Sequence, residues 1–311
     1  GWQRDDHLAA FSAFRLSALH AREKPYKTGS LGIDAEAFAA AFAEAAQATV
    51  ADGSDARKFF ERHFLPFRIA PGEEGFVTGF YEPEMDASPV KTGRFAVPLL
   101  APPHDLVKID DANRPAGLDP YLAFGRRTPG GIIEYFDRAA IENGAVRDRA
   151  GAIAWLADPV DAFFIHVQGA ARLRLPDGTT KRVTYAAKSG QRFTGPGRIL
   201  VELGEIPPDA MTMQSIRAWF AANPGRVDEI LHRNRSYIFF REAPVADPAL
   251  GPVAAAKVPL SAGRSLAVDR LLHTFATPFF IDAPTLTAFD GSPFRRLMIA
   301  QDTGSAIVGP A

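Results

Sequence analysis

The hydrophobic periodicity of this chain changes character once, at Pro66, and that change constrains the fold more than any other feature. Before it, apolar residues recur at helical spacing. Phe11, Phe14 and Ala18 form a first stripe, Phe38, Ala41, Phe42 and Ala45 a second, and Phe59, Phe60, His63 and Phe64 a third. Residues three and four apart share a helix face, so each stripe predicts an amphipathic helix turned to a core. Asp34 and Ser54 stand where the second and third helices need N-caps, and Pro66 stops the third.

Beyond Pro66 the apolar runs shorten and are broken by Gly and Pro, which is strand-and-turn texture. The predicted strands are Phe76–Tyr81, Ala96–Leu100, Ala162–Ala170, Arg182–Tyr185, Lys257–Leu260, Leu266–Val268, Phe279–Ile281 and Leu297–Ala300. Asp177-Gly178 supplies a hairpin turn between two of them. A helical island interrupts, with Ile199, Leu200 and Leu203 ending at Gly204. A helix capped by Thr212 follows, then another over Val227–His232 and the aromatic run Tyr237–Phe240. The Pro/Ala-rich stretch Pro244–Pro252 reads as a linker. Helices, then strands, a mixed middle and strands again give an α+β class, mainly β. The 311 residues suffice for about two domains, at roughly 150 residues each.

Charge and composition exclude several functions. Lys and Arg number 35 against 36 Asp and Glu, a net charge of −1, so the chain lacks the basic surplus of a nucleic-acid binder. No run approaches the about 18 apolar residues of a membrane span. With no Cys there is no thiol nucleophile, disulfide or thiolate metal site. Phosphate-loop, dinucleotide, nucleophile-elbow and zinc-protease motifs are absent. The seven His residues are scattered without ligand spacing, so no metal is expected. His166 alone lies in a well-patterned run, where a hydrogen-bonded structural role is expected.

Two segments carry candidate chemistry. In Leu297–Gly309 an apolar strand delivers Asp302 into a turn of small residues, where burial could raise a carboxyl into general-acid range. The plain alternative is a turn cap that accepts backbone N–H groups. Asp302-Thr303-Gly304-Ser305 also matches the motif of pepsin-like peptidases, but these need a second carboxylate, and no second such motif occurs. In Phe76–Met85, aromatic rings alternate with hydroxyl and carboxylate groups, a pattern suited to sugar rings.

In order along the chain, these segments resemble the membrane-bound lytic transglycosylase A (MltA) family. The resemblance runs from Gly1-Trp2 and Asp5 through Thr78-Gly79-Phe80-Tyr81-Glu82-Pro83 and Phe164-Ile165-His166-Val167-Gln168-Gly169. It continues in Tyr185-Ala186-Ala187-Lys188-Ser189-Gly190, Met213–Ile216 and Asn234–Phe240, and closes in Ser265–Arg270 and Gln301–Ile307. It implies a double-psi β-barrel domain with N-terminal helices, built from both chain ends (1–93 and 243–311). A second β-rich domain (94–242) is inserted between them. The implied reaction cleaves the β-1,4 bond between N-acetylmuramic acid and N-acetylglucosamine of peptidoglycan. The muramoyl C6 hydroxyl attacks C1 and leaves a 1,6-anhydro ring, so one carboxyl acting as acid and then base suffices, without metal or cofactor.

Carried onto this sequence, the resemblance implies substrate contacts at Thr78, Gly79, Phe80, Tyr81, Gln168, Tyr185, Lys188, Ser189, Gly190, Asp269 and Gln301. Asp269 and Asp302 match the first two aspartates for which the C-terminal three-aspartate (3D) domain is named. The third, which resembles the principal acid, falls beyond Ala311, so Asp302 is expected to be a supporting catalytic group. The implied partners are peptidoglycan glycan strands met by a monomer in the periplasm, with any outer-membrane lipid anchor upstream of Gly1. The rival readings are a non-catalytic binder of peptidoglycan or chitin, and an aspartic peptidase.

Overall fold

Side-chain caps and burial explain where the helices of the computed structural model begin and end. It describes residues 1–31, 33–69, 77–244, 247–287, 289–304 and 307–310. Asp6 accepts the Ala9 N–H (3.0 Å) and opens α1, His7–Glu23. A short 3-10 turn at Ala35–Phe38, capped by Asp34, leads into α2, Ala39–Gln47. The third helix, α3, is Gly53–His63. Its cap is Asp52 rather than Ser54: the Asp52 carboxylate accepts the N–H groups of Ser54 (2.8 Å) and Asp55 (2.9 Å). A carboxylate suits the positive end of a helix better than a hydroxyl does.

The remaining elements in chain order are β1 (Glu84–Ser88), β2 (Val97–Leu100), β3 (Leu106–Lys108), β4 (Phe124–Thr128), β5 (Gly131–Ile133) and the single turn α4 (Arg138–Ala140). Then come β6 (Ala152–Leu156), α5 (Pro159–Gln168), β7 (Ala170–Arg174), β8 (Thr180–Lys188), α6 (Pro196–Glu202), α7 (Met213–Ala222) and α8 (Val227–His232). The chain closes with β9 (Ile238–Ala243), β10 (Ser265–Ala267), β11 (Pro278–Ala283) and β12 (Phe294–Asp302). It is a mixed α and β protein with several sheets, dividing into two compact units: Gly1–Gly79 with Ala246–Ala311, and Phe80–Val245.

In the first unit, β12 pairs parallel with β10 and antiparallel with β11. Among the described residues these strands form an open three-stranded sheet and no closed barrel. The helices supply an aromatic core: the Phe14 ring lies 5.6 Å from Phe42, 5.6 Å from Phe59 and 5.9 Å from Phe60. Leu297 and Ile299 of β12 join that core. Each fully buried Phe contributes about 1.5–3 kcal/mol of transfer free energy. The two ends of the chain are tied by Asp5, whose carboxylate pairs with Arg264 (2.9 Å) and accepts the Leu297 N–H (2.6 Å).

The second unit contains a six-stranded sheet in the order β2-β6-β1-β7-β8-β9, in which only β1 and β7 run parallel, and an antiparallel sheet β3-β4-β5. The hairpin β7–β8 turns at Asp177-Gly178, where Gly178 takes φ +82° and Asp177 accepts the Thr179 N–H (2.9 Å).

Three predicted strands are corrected. Most of Ala162–Ala170 is helical, within α5. Asp158 caps the helix by accepting the Val160 and Asp161 N–H groups, Pro159 occupies its first turn, and Gly169 at φ +73° ends it. One face of α5 (Val160, Phe163, Phe164) packs on α6–α8 and the other (Ala162, Ile165) on the sheet. A helix buried on both sides shows a continuous apolar run, which mimics a strand. The strand expected over Phe76–Tyr81 begins outside the described residues at Phe76, and 77–81 are exposed without ladder bonds. The backbone of this segment meets the sheet at Pro83, whose carbonyl accepts the Arg172 N–H (2.8 Å). Lys257–Leu260 is a bend, because Lys257 takes φ +64° and turns the chain; a single bridge joins Val253 to Pro259.

Candidate active site

The candidate residues form two clusters, one in each unit, and an exposed segment between positions 78 and 81. In the first unit, β12 presents Gln301 and Asp302 side by side in sequence but to different surroundings. Gln301 is fully buried. Its amide donates to the Ala13 carbonyl (2.7 Å) and Ser17 Oγ (2.9 Å) and accepts from Ser265 Oγ (2.6 Å). Its side chain therefore clamps β12 to α1 and β10, and at 0% exposure it offers no accessible atom to a sugar.

Asp302 ends the strand, half-buried. Its Oδ1 accepts the Ala255 N–H at 3.2 Å, and its carbonyl accepts the Val268 N–H at 3.0 Å. Burial pushes its carboxyl above the usual range, outweighing the backbone N–H groups of Thr303 and Ala255 that favour the anion. No Arg, Lys or His pairs with it among the described residues. A partly desolvated carboxyl without a cation holds its proton more readily than an exposed one, as a general acid must. The bulge between β10 and β12, at Leu266/Ala267, falls beside it and lets the strand end turn.

Asp269, just after β10, organises backbone. Its Oδ1 accepts the Leu271 N–H (3.0 Å) and its Oδ2 the Gly309 N–H (3.1 Å). His273 Nε2 meets the Pro310 carbonyl at 3.1 Å. The segment that follows Asp302 is thus held back against the 269–273 turn. Ser305 and Ala306, part of the sequence pattern, lie outside the described residues.

In the second unit the structure brings Gln168 and Tyr185 together. Gly169, which closes α5, accepts the Tyr185 N–H at 2.7 Å. Ala186 is the extra residue of a bulge between β8 and β9, so Tyr185 opposes Phe240 while Ala187 opposes Phe239. The bulge leaves Tyr185 41% exposed although its neighbours Thr184 and Ala187 are buried. Lys188 ends the same strand, and Ser189 and Gly190 follow it. Ser189 is buried, its backbone and Oγ bound to Tyr237, so it fastens β8 to β9 instead of facing solvent. Gly190 takes φ +88°, and a Cβ there would fall 2.6 Å from the Phe124 carbonyl. Only glycine permits that approach.

The close approach at Gly190 draws in a residue that sequence reasoning missed. Tyr121, 41% exposed, lies with its ring 5.8 Å from Lys188 Nζ and 4.2 Å from the Arg192 guanidinium. A lone aromatic in a Pro/Gly-rich loop gives no periodic signal. Tyr121, Tyr185 and Phe193 are exposed rings of this unit, and Phe80 and Tyr81 are similarly exposed while Thr78 and Gly79 stand open to solvent. Exposed rings beside Lys and Arg donors can stack on sugar C–H faces and bond hydroxyls. Glu82, at the end of that segment, instead turns to Arg172 (2.8 Å) and Arg182 (2.7 Å).

His166 is structural. It is buried between Tyr237 and Phe240, with Nδ1 3.2 Å from Arg138 Nη2. Burial, with the Arg138 charge added, holds its pKa well below the usual imidazole value. Among the described residues no three His, Asp or Glu side chains converge as metal ligands would.

Comparison with known proteins adds an independent line. The MltA specific insert domain matches residues 76–241, and the 3D domain matches 264–311. Membrane-bound lytic murein transglycosylase A of Escherichia coli K12 is 29% identical over 237 residues, 75% of this chain and 56% of that protein. The chain spans about half the length of the curated relatives it matches. The crystal structure of a membrane-bound lytic murein transglycosylase from Agrobacterium tumefaciens superposes with a TM-score of 0.92 at 52% identity, covering 100% of this chain and 86% of that one. E. coli MltA with bound chitohexaose gives a TM-score of 0.60 at 28% identity, covering 75% of this chain and 62% of that one.

Proposed function

The chain belongs to the MltA family, and from that premise we propose that it is a peptidoglycan lytic transglycosylase. The observation that carries this reading is the likeness over its whole length to a lytic murein transglycosylase, at 52% identity. The reaction is cleavage of the MurNAc-β-1,4-GlcNAc bond with closure of a 1,6-anhydro ring. One carboxyl protonates the leaving oxygen and then takes the proton of the C6 hydroxyl, so no second carboxylate and no hydrolytic water are needed.

In this reading Asp302 is a supporting group. Its half-buried carboxyl is raised by desolvation, which suits a group that supports proton transfer by a principal acid. Asp269 holds the backbone at Gly309, through its N–H. Phe80, Tyr81, Tyr185 and Lys188 are the sugar contacts, joined by Tyr121. Gln168 borders Tyr185, Ser189 and Gly190 shape that face of the second unit from behind, and Gln301 fixes β12 beside Asp302 in the first unit. The chitohexaose held by the E. coli relative supports a β-1,4-linked glycan as ligand. The parallel β10–β12 pair supports reading the first unit as double-psi barrel architecture, with the second unit as the insert.

The relatives' names support a place in the Gram-negative envelope, with the chain acting in the periplasm from a membrane anchor. Among the described residues no helix is long and apolar enough to cross a membrane. Muropeptide analysis of sacculi digested by the protein tests the reaction. Anhydromuramoyl products are expected; products with free reducing ends would overturn it, and binding without turnover would favour a non-catalytic glycan binder.

A further inference from the structure

The β3-β4-β5 sheet borders an open cavity of about 300 Å³ whose lining is strongly basic. Arg126, Arg127 and Arg149 face it with His104, and Asp105 is its one carboxylate. Both Asp105 oxygens are already engaged: Oδ2 by Arg149 at 3.0 Å and Oδ1 by the Tyr135 hydroxyl at 2.9 Å. Arg126 and Arg127 therefore have no acidic partner among the described residues. The Arg126 guanidinium is held over the Phe136 ring at 4.4 Å, and Arg149 lies over the same ring at 5.6 Å. Arg126 Nε is buried and has no hydrogen-bond partner among the described residues.

Leaving a guanidinium donor both buried and unbonded is costly, and so is gathering like charges around one carboxylate. A ring that fixes two planar forks, with a surplus of positive charge around them, has the makings of a bidentate anion site. We propose that this cavity binds carboxylates of the peptide stems of peptidoglycan. The proposal rests on the chain being a peptidoglycan enzyme. In such a substrate the sugars are neutral and the charge resides in the stems. The cavity's surplus of guanidinium groups suits a charged peptide arm, whereas a neutral glycan offers them no countercharge, and it would let the second unit grip stem-bearing regions of the wall. Phosphate offers the same fork geometry, so the experiment separates the two.

Calorimetric titration of the protein uses three probes: a disaccharide–tetrapeptide muropeptide, the same muropeptide with its carboxylates amidated, and inorganic phosphate. Amidation of the ligand, or the pair Arg126→Gln and Arg127→Gln, is expected to weaken muropeptide binding about tenfold or more, because charge-assisted bonds are lost. Arg127→Gln alone, at an exposed position, should fold and show part of that loss. Backbone NMR shifts of the wild-type protein should move at Arg126, Arg127 and Arg149 as muropeptide is added. Equal affinity for the amidated ligand, unchanged binding by the double variant, or binding of phosphate without muropeptide would overturn the proposal. Anhydro-product yield from peptide-free glycan strands reads the catalytic reading separately: the double variant should match wild type there. Absence of product with wild type would count against the transglycosylase and not against the titration.

Discussion

Glu82 and Arg182 form an ion pair at 2.7 Å with 8% and 4% of their side chains exposed, and Arg172 closes on the same carboxylate at 2.8 Å. The pair joins the end of the exposed 78–81 segment to β7 and β8, beside the Pro83 carbonyl that accepts the Arg172 N–H. Glu82→Gln removes the charge while two guanidiniums stay behind, one of them buried. Breaking a buried pair from one side costs about 3–5 kcal/mol. We expect the second unit to lose about 3 kcal/mol, a fall in melting temperature of roughly 6–12 °C. Calorimetric melting checks this, and a loss below about 1 kcal/mol would show that water replaces the carboxylate.

Gln301 separates two readings of one residue. If its buried amide is a clamp, Gln301→Leu leaves the Ala13 carbonyl and the Ser17 and Ser265 hydroxyls short of partners and costs about 2–4 kcal/mol. Denaturant unfolding should show that loss, while KM for glycan under conditions where the variant remains folded should stay unchanged. A raised KM with undiminished stability would place the amide on the substrate instead.

These two residues also show how far the sequence was legible. Capped, one-faced elements were read from residues alone: α1, α2, α7 behind Thr212, and β12 with Asp302 at its end. The elements misread are those whose surroundings set the outcome. α5 looked like a strand because burial on two sides hides its period, and only the Asp158, Pro159 and Gly169 punctuation marked a helix. Glu82 lay in a run that alternates like a strand, yet its partners Arg172 and Arg182 are 90 and 100 residues away. The Tyr121 ring lies 5.8 Å from Lys188 Nζ, near where Gly190 closes on the Phe124 carbonyl, a juxtaposition no local pattern announces.

Asp302 should show its burial in the pH dependence of stability. Its folded pKa is raised above the ordinary 3.8, so its favourable contribution is full below that pH. That contribution is lost as pH rises through the folded value, because ionisation is then harder in the folded chain than in the unfolded one. Asp302→Asn keeps an oxygen for the Ala255 N–H and removes the charge. The variant should gain stability relative to wild type between about pH 4 and pH 7. Anhydro-product formation should fall about tenfold, near 1.4 kcal/mol of barrier. Paired denaturant titrations at the two pH values and a product assay check both parts. A stability gap that does not move with pH would mean the carboxyl is solvated.

His166 predicts the opposite sign. Burial, reinforced by the Arg138 guanidinium, holds its folded pKa well below 6.5. The unfolded chain therefore takes up a proton that the folded one refuses. Stability is present above about pH 6.5 and falls by roughly 1.4 kcal/mol per pH unit below it, until the folded value is reached. His166→Asn places an amide oxygen near the Nδ1 position that faces Arg138 Nη2 at 3.2 Å, and it cannot titrate. His7, shifted downward mainly by burial, is the same in both proteins and cancels in the comparison. The variant should start from lower stability at pH 7 and lose less of it by about pH 5.5, with a difference near 1.4 kcal/mol. Parallel loss in the two proteins would mean that His166 takes its proton without unfolding, and that the Arg138 contact yields in the folded state.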